Sequence, residues 1–277
     1  MNSMKPTVPP SPEPSPSFLE TDRFAVLCEI EPSRRPDIEH VRKQIEVLNP
    51  VADAFLIPDN HLGQATVSSV AVAHEVAYMG GKSIACINAR DRNLLGFRRD
   101  LLTAAAYGVD HFLFVYGDAP TEGCRVDDLT VQGMISEVRS FGTSELFEGY
   151  PGFHIGTVVK PGRPLAWRAW ADFVFVQVSY ATPLLLEWRS QQSFDGRMFA
   201  GVLVLASARM ARRVNATIPD IRIPEEVIER LEHDPDYGLR VALEQIDAIE
   251  ESGLFDGVHL VPVGRYAEVA ELLRARR

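Results

Sequence analysis

Eight short, almost unbroken apolar runs recur along this chain, and their spacing restricts its fold more than any other feature. They are FAVLCEIE (24–31), AFLIP (54–58), SIACINA (83–89), HFLFVYG (111–117), HIGTVV (154–159), FVFVQVSY (173–180), FAGVLVLA (199–206) and GVHLVPVG (257–264). Strands buried on both faces read this way, rich in β-branched and aromatic residues and lacking polar alternation. Helical patterns lie between them. IEHVRKQIEVL (38–48) sets Ile38, Val41, Ile45 and Leu48 on one face. NLLGFRRDLLTAAAYG (93–108) and YGLRVALEQIDAIEESG (237–253) each end on glycine, a helix-stop signal. The terminal AEVAELLRARR closes on basic residues, as suits a helix C-terminus. Eight strands alternating with helices over roughly 250 residues predict an α/β protein, a single (β/α)8 TIM barrel. An open doubly wound sheet is the competitor. No break in composition after residue 20 divides the chain, so residues 21–277 are expected to form one domain.

Residues 1–20 differ. The stretch PTVPPSPEPSPS has almost nothing apolar to bury, and proline removes backbone donors. It is expected to be a disordered leader without chemistry. The remainder is rich enough for a packed core, the whole chain being 46% hydrophobic. A formal net charge of −10 argues against bulk nucleic-acid binding, so any anion would need a local basic cluster. No run approaches the roughly 18 apolar residues of a membrane helix, and no cationic, apolar secretion signal opens the chain. A cytoplasmic protein that binds neither nucleic acid nor membranes is expected. Cys28, Cys86 and Cys124 show no CxxC spacing, so no metal site is expected. Cys28 and Cys86 read as small buried hydrophobes of a reducing compartment. GxxxxGK[ST], GxGxxG, HExxH and GxSxG are all missing, which leaves nucleotide kinases, zinc proteases and α/β-hydrolases without support.

In a barrel, function collects at the C-terminal ends of the strands. Glu29 and Glu31 stand two apart at the end of the first run and would point the same way if both lay in the strand. An acid in so apolar a run is costly unless used or paired, and Arg34 and Arg35 are the alternative partners. The second run ends in Asp59, Asn60 and His61, a polar loop for which a helix cap by the acid or amide is the alternative reading. The third leads into Arg90, Asp91 and Arg92, which could pair among themselves, with Asn93 capping the next helix. Asp118 follows Gly117, whose bare backbone lets a ligand approach. Gln177 sits among apolar neighbours and needs polar partners. Arg265 ends the eighth run, as an anion anchor or a salt-bridge partner.

Taken in order, these segments resemble the methylenetetrahydrofolate reductase family. CEIEPS is similar to its F-E-x-x-P-P, and CINARDRNLLGFRRDLLTAAAYGVDHFLFVYGDAP to its C-x-x-R-D-R-N, helix, L-x-x-x-G-D-x-P run. FHIGTVVKP, FVFVQVSY, the block GVLVLASARMARRVNATIPDIRIPEEVIERLE and VHLVPVGRYAE each resemble a further family segment. The likeness covers about residues 24–275, and its strength lies in six motifs in the right order. It implies reduction of 5,10-methylenetetrahydrofolate to the 5-methyl compound, with NADH or NADPH as hydride source. By the resemblance, Glu29 is the general acid and Asp118 stabilises the cationic intermediate. Gln177, Tyr180, Arg265 and Glu31 bind substrate, and Asp59, His61, Tyr116 and Gly117 line the cofactor position. Arg209, Arg212 and Arg213 would either hold a folate tail or form a solvated helix face.

The resemblance also implies FAD, yet several of its anchors are altered. The family's R/T-G-D is Tyr116-Gly117-Asp118, and a histidine common in the third strand is Ser83. In the helix expected before the sixth strand the family's phosphate-facing lysine is Ala166 and its glycine is Trp170. The loop before it is short, with Lys160, Arg163 and Arg168 as the cations left to hold a flavin. Trp167 and Trp170 would fill the space a flavin leaves. Direct hydride transfer from nicotinamide to folate is therefore expected, FAD-dependent reduction being the alternative. A pterin-binding methyltransferase or a non-catalytic folate-binding barrel are the readings from other classes.

Overall fold

The computed structural model describes residues 17–141, 145–218 and 220–276; most of the expected leader, residues 1–16, lies outside them. All eight apolar runs are strands: β1 (Ala25–Glu29), β2 (Ala54–Ile57), β3 (Ser83–Asn88), β4 (His111–Val115), β5 (His154–Val159), β6 (Phe173–Val176), β7 (Arg197–Leu203) and β8 (Gly257–Val261). They pair in parallel in sequence order and close into a barrel. Closure runs through β8 and β1, with Leu27 opposite His259 and Cys28 opposite Leu260.

Around this cylinder run α1 (Glu39–Leu48), α2 (Ser69–Tyr78), α3 (Leu94–Ala106), α4 (Val131–Arg139), α5 (Thr182–Ser190), α6 (Ala208–Thr217), α7 (Glu225–His233), α8 (Tyr237–Glu251) and α9 (Tyr266–Arg276). Their limits follow local chemistry. Asn93 caps α3 by accepting from the Gly96 N–H at 2.8 Å. Gly108 and Gly253, just past α3 and α8, take the left-handed conformation that ends a helix. On α1 the buried stripe is Val41, Gln44, Ile45 and Leu48.

The segment before β6 departs from expectation. It is a 3-10 turn, Ala166–Trp170, and among the connections between consecutive strands this one has no α-helix. The chain between Lys160 and Asp172 is too short to cross the barrel as a helix and return. Trp167 packs against the helix-side core, but Trp170 is half exposed. Trp170 therefore does not fill a buried cavity.

Inside the barrel, Ala25, Leu27, Ala54, Leu56, Ile84, Cys86, Leu113, Phe173, Phe175 and Phe199 pack together. The layering needs space as well as bulk. A Cβ on Gly156 would lie 2.0 Å from the Phe173 ring, so glycine there is what admits that ring.

The leader boundary falls earlier than composition suggests. Phe18 is buried against Phe173 and Phe199, with centroids 5.9 and 5.8 Å away, and against His111 at 5.1 Å. His111 and Phe173 begin their strands and Phe199 is the third residue of β7, so Phe18 plugs the floor of the barrel. Ser17 reaches His111 Nε2 at 3.1 Å, and the Leu19 carbonyl accepts from Arg197 Nε at 3.0 Å. Beside the plug, His111 and His154 stack at 4.5 Å, with Asp110 2.6 Å from His111 Nδ1. Phe18→Ala is expected to destabilise the protein by about 3 kcal/mol, the low end for a buried Phe deletion. Denaturant unfolding at neutral pH measures it; an unchanged midpoint would show that the floor is closed without Phe18.

Candidate active site

The C-terminal mouth of the barrel gathers most of the polar residues singled out in the sequence. Glu29 ends β1, facing inward with Leu27 and Ala25. Its Oε2 lies 3.2 Å from His259 Nε2, both side chains being largely buried. The two form an ion pair when the imidazole is protonated, although Nε2 has no aligned hydrogen bond. His259 stacks on Phe175 at 4.9 Å, which holds the ring upright in the barrel. Burial pushes the Cys86 thiol well up, and the charges of Glu29 and then Asp59 push it further. Two acids thus converge on one inward cysteine, which remains a thiol.

Asp59 is the hub of a second group. Its carboxylate accepts from the Asn88 backbone N–H at 3.0 Å and from Asn88 Nδ2 at 2.8 Å, and it pairs with Arg92. Arg92 also pairs with Asp100 at 2.7 Å. Burial opposes the Arg92 charge, and Asp59, then Asp100, overcome that and raise its pKa. Asp91 takes hydrogen bonds from Asn60 and Asn88. Asp91 and Arg92 therefore pair with groups outside their own segment and not with each other.

Asn88 also fixes the next strand end. Gly117 has φ +94°, and a Cβ there would lie 2.9 Å from the Asn88 Cβ; only glycine suits both demands. Past it, Asp118 accepts from the Leu62 backbone N–H at 2.9 Å, and Thr121 binds the Gly63 carbonyl. The loops after β2 and β4 are clipped together over the mouth. Among the described residues, Asn60, Leu62, Ala166 and Val263 are the non-glycines at positive φ. Asn60, Leu62 and Val263 lie within five residues of a strand's C-terminal end, and Ala166 begins the turn that leads into β6.

The other site candidates separate. Gln177 follows β6 at the mouth, and its Oε1 accepts from the Val178 N–H at 3.1 Å. Tyr180 turns outward, donating to the Leu203 carbonyl at 2.9 Å, and lines a groove of about 230 Å3 with Pro224, Tyr237 and Gln245. Arg265 is held by Asp236 at 2.6 Å and Glu268 at 3.0 Å, so its charge is already compensated. Glu31 lies exposed beyond the strand, and His61 is exposed on the β2 loop. No ion pair joins Glu29 or Glu31 to Arg34 or Arg35 among the described residues. Lys160 pairs with Asp220; Arg168 donates to the Val158 carbonyl at 2.8 Å and lies over Trp167. Arg212 pairs with Glu232, and Arg209 and Arg213 are exposed beside it on α6, a solvated face. No group of three metal-binding side chains occurs, and no helix is long and apolar enough to cross a membrane, among the described residues.

A family profile for methylenetetrahydrofolate reductase matches residues 56–276. The chain belongs to the methylenetetrahydrofolate reductase family. The profile spans the strand ends carrying Asp59, Asp118, Gln177 and Arg265, while Glu29 lies ahead of it. Among solved structures, an uncharacterized protein from Clostridium thermocellum, described as binding two copies of 5-methyl-5,6,7,8-tetrahydrofolic acid, superposes with a TM-score of 0.67. It is 14% identical, over 94% of this chain and 96% of that one. EDTA monooxygenase from Chelativorans sp. BNC1 follows at TM-score 0.53 and 8% identity, over 92% and 94% of the two chains. At these identities the likeness is one of fold. No curated protein sequence matches.

His259 is the site residue that sequence reading missed. Its one signal is a polar residue at an inward position of the GVHLVPVG run, and only ring closure brings it to Glu29. For the reductase-family mouth, Asp59 is expected to be scaffold first. Asp59→Ala leaves Arg92 and Asn88 short of a buried acceptor and should cost about 3–5 kcal/mol. A denaturation midpoint within error of the parent would instead free Asp59 for a direct ligand role.

Proposed function

We propose that this protein reduces 5,10-methylenetetrahydrofolate to 5-methyltetrahydrofolate, taking hydride directly from a bound reduced nicotinamide. The observation that carries the reading is the inward Glu29 carboxyl paired with His259, in a chain of the reductase family. The folate-binding description of the Clostridium thermocellum protein, which shares the fold, supports the substrate class.

The chemistry needs a proton at one atom and a hydride at another. Opening the methylene bridge breaks the bond from carbon to N10 and leaves an iminium at N5. Glu29 gives its proton to N10, and hydride from nicotinamide adds to the iminium carbon, forming the methyl group. NAD(P)+ leaves, and Glu29 regains a proton through His259, whose Nε2 is 3.2 Å away. Asp118 supplies negative charge at the mouth for the cationic intermediate. The carboxyl group is tied to Leu62 N–H, which fixes its direction before substrate arrives. Gln177 offers an amide to the pterin edge, releasing its local bond to Val178.

A flavin is the group the family implies, and the residues around β5 and β6 do not fit it. A pyrophosphate there needs donors and cations held in place to face it. Ala166 stands at the lysine position, Arg168 is engaged by the Val158 carbonyl and Trp167, and the remaining cations, Lys160 beside Asp220 and Arg163, are exposed side chains on the surface. The shortened β5–β6 connection removes the helix that would present such groups. Direct transfer requires both substrates together, the two carbons about 3–3.5 Å apart.

Glu29→Gln keeps the shape without a transferable carboxyl proton. Turnover is expected to fall by roughly 10²-fold or more with an unchanged unfolding midpoint, measured as folate-dependent NADH oxidation. Retained turnover would move the acid role to another group. The purified wild-type protein should lack visible absorbance, and a flavin spectrum would overturn the flavin-free route.

A further inference from the structure

Arg90 is a cation without a counter-ion. It follows β3 on the catalytic side of the barrel and is only 6% exposed. Its Nε and Nη2 are sealed from solvent with no hydrogen-bond partner. The neighbouring acids are committed elsewhere, Asp59 and Asp100 to Arg92, and Asp91 to Asn60 and Asn88. A lysine so placed would shed its proton, but a guanidinium stays charged at any relevant pH. A buried charge of this kind is expensive unless something outside the chain completes it.

Its contact with an aromatic ring points to what that is. The Arg90 guanidinium lies 5.6 Å from the centre of the Tyr116 ring, and the Arg125 guanidinium lies 5.2 Å from the same centre. Two like charges share one aromatic ring, and an anion between or beside them relieves both. Arg125 is exposed and pairs with Asp127, so it is able to exchange that carboxylate for a ligand. Tyr116 directly precedes Gly117 and Asp118, which places the pair of cations beside the mouth. In a chain of net charge −10, a local cluster is what an anion requires.

We propose that Arg90, Arg125 and Tyr116 form a phosphate-binding site, which takes the pyrophosphate of the dinucleotide that delivers hydride. Arginine forks match phosphate oxygens in paired hydrogen bonds. The assignment of the phosphate to a nicotinamide dinucleotide rests on the reductase reading; the anion site itself does not.

The test is calorimetric titration of the full-length protein with inorganic pyrophosphate, followed by displacement with NADH, NADPH, FAD or 5-methyltetrahydrofolate. The wild type should bind pyrophosphate and release it to NADH or NADPH. Arg90→Met should weaken pyrophosphate and NADH by 10-fold or more while keeping the melting temperature, since it replaces an unpaired buried charge with an apolar side chain of similar length. If that variant does not fold, Arg125→Met, at an exposed position, should still weaken pyrophosphate several-fold. Wild type that takes up no pyrophosphate, or unchanged affinity in every variant that folds, overturns the site. Displacement by FAD or by the folate, but not by a nicotinamide dinucleotide, overturns the assignment of its ligand. Absence of folate-dependent NADH oxidation would count against the reductase reading and leave the pyrophosphate result standing.

Discussion

The parallel pairing of β8 with β1 is the contact on which the site depends. It closes the barrel, and with Leu27 opposite His259 it brings the last strand's imidazole to the first strand's carboxylate. Without closure, Glu29 would be an acid on an edge strand and His259 an isolated polar residue in an apolar run. With it, the two face each other above Cys86 and Phe175, in a space whose lower layers are filled. Closure also has a floor. Phe18 fills the N-terminal end between Phe173 and Phe199, so the open end is the mouth.

The mouth is organised by buried polar groups that serve each other. Asp59, Asn88 and Arg92 tie the ends of β2 and β3 to α3, and Asn88 sits where a side chain at position 117 would be. Asp118 and Thr121 then fasten the β4 loop to the β2 loop. Each contact leaves fewer ways to place the next, which is how short loops hold polar groups in place without extra secondary structure. Arg90 stands outside this economy of partners, and the contrast with Arg92 two residues on is what marks it as a ligand group.

Much of the fold was legible because barrel strands buried on both faces write themselves as apolar runs. All eight runs hold a strand; β5 coincides with its run at both ends, and the other seven strands stop one to four residues before the end of their runs, where strand character gives way to loop. The helix stops at Gly108 and Gly253 and the cap at Asn93 were equally local signals. What escaped reading was long-range or very short. Phe18 and Leu19 are two apolar residues after a proline tract, too few to make a pattern. The segment before β6 has helical composition, but its length between Lys160 and Asp172 allows only a 3-10 turn. For the site, Glu29, Asp118 and Gln177 were placed at the mouth by strand-end logic alone. Arg265 and Tyr180 follow the same logic yet turn away, Arg265 to Asp236 ahead of α8 and Glu268 on α9, Tyr180 to the Leu203 carbonyl of β7, partners that only the folded chain brings near. His259 was hidden, since its partner lies at the other end of the chain.

The hydride route is tested most directly by following the atom that moves. NADH carrying deuterium on the transferred C4 position would be turned over with 5,10-methylenetetrahydrofolate in ordinary water, and the product methyl group examined by mass spectrometry. Direct transfer, with both substrates held together, predicts one deuterium in essentially every methyl group formed. Passage through a flavin, whose N5 hydrogen exchanges with water, would leave the methyl group largely unlabelled and would contradict it.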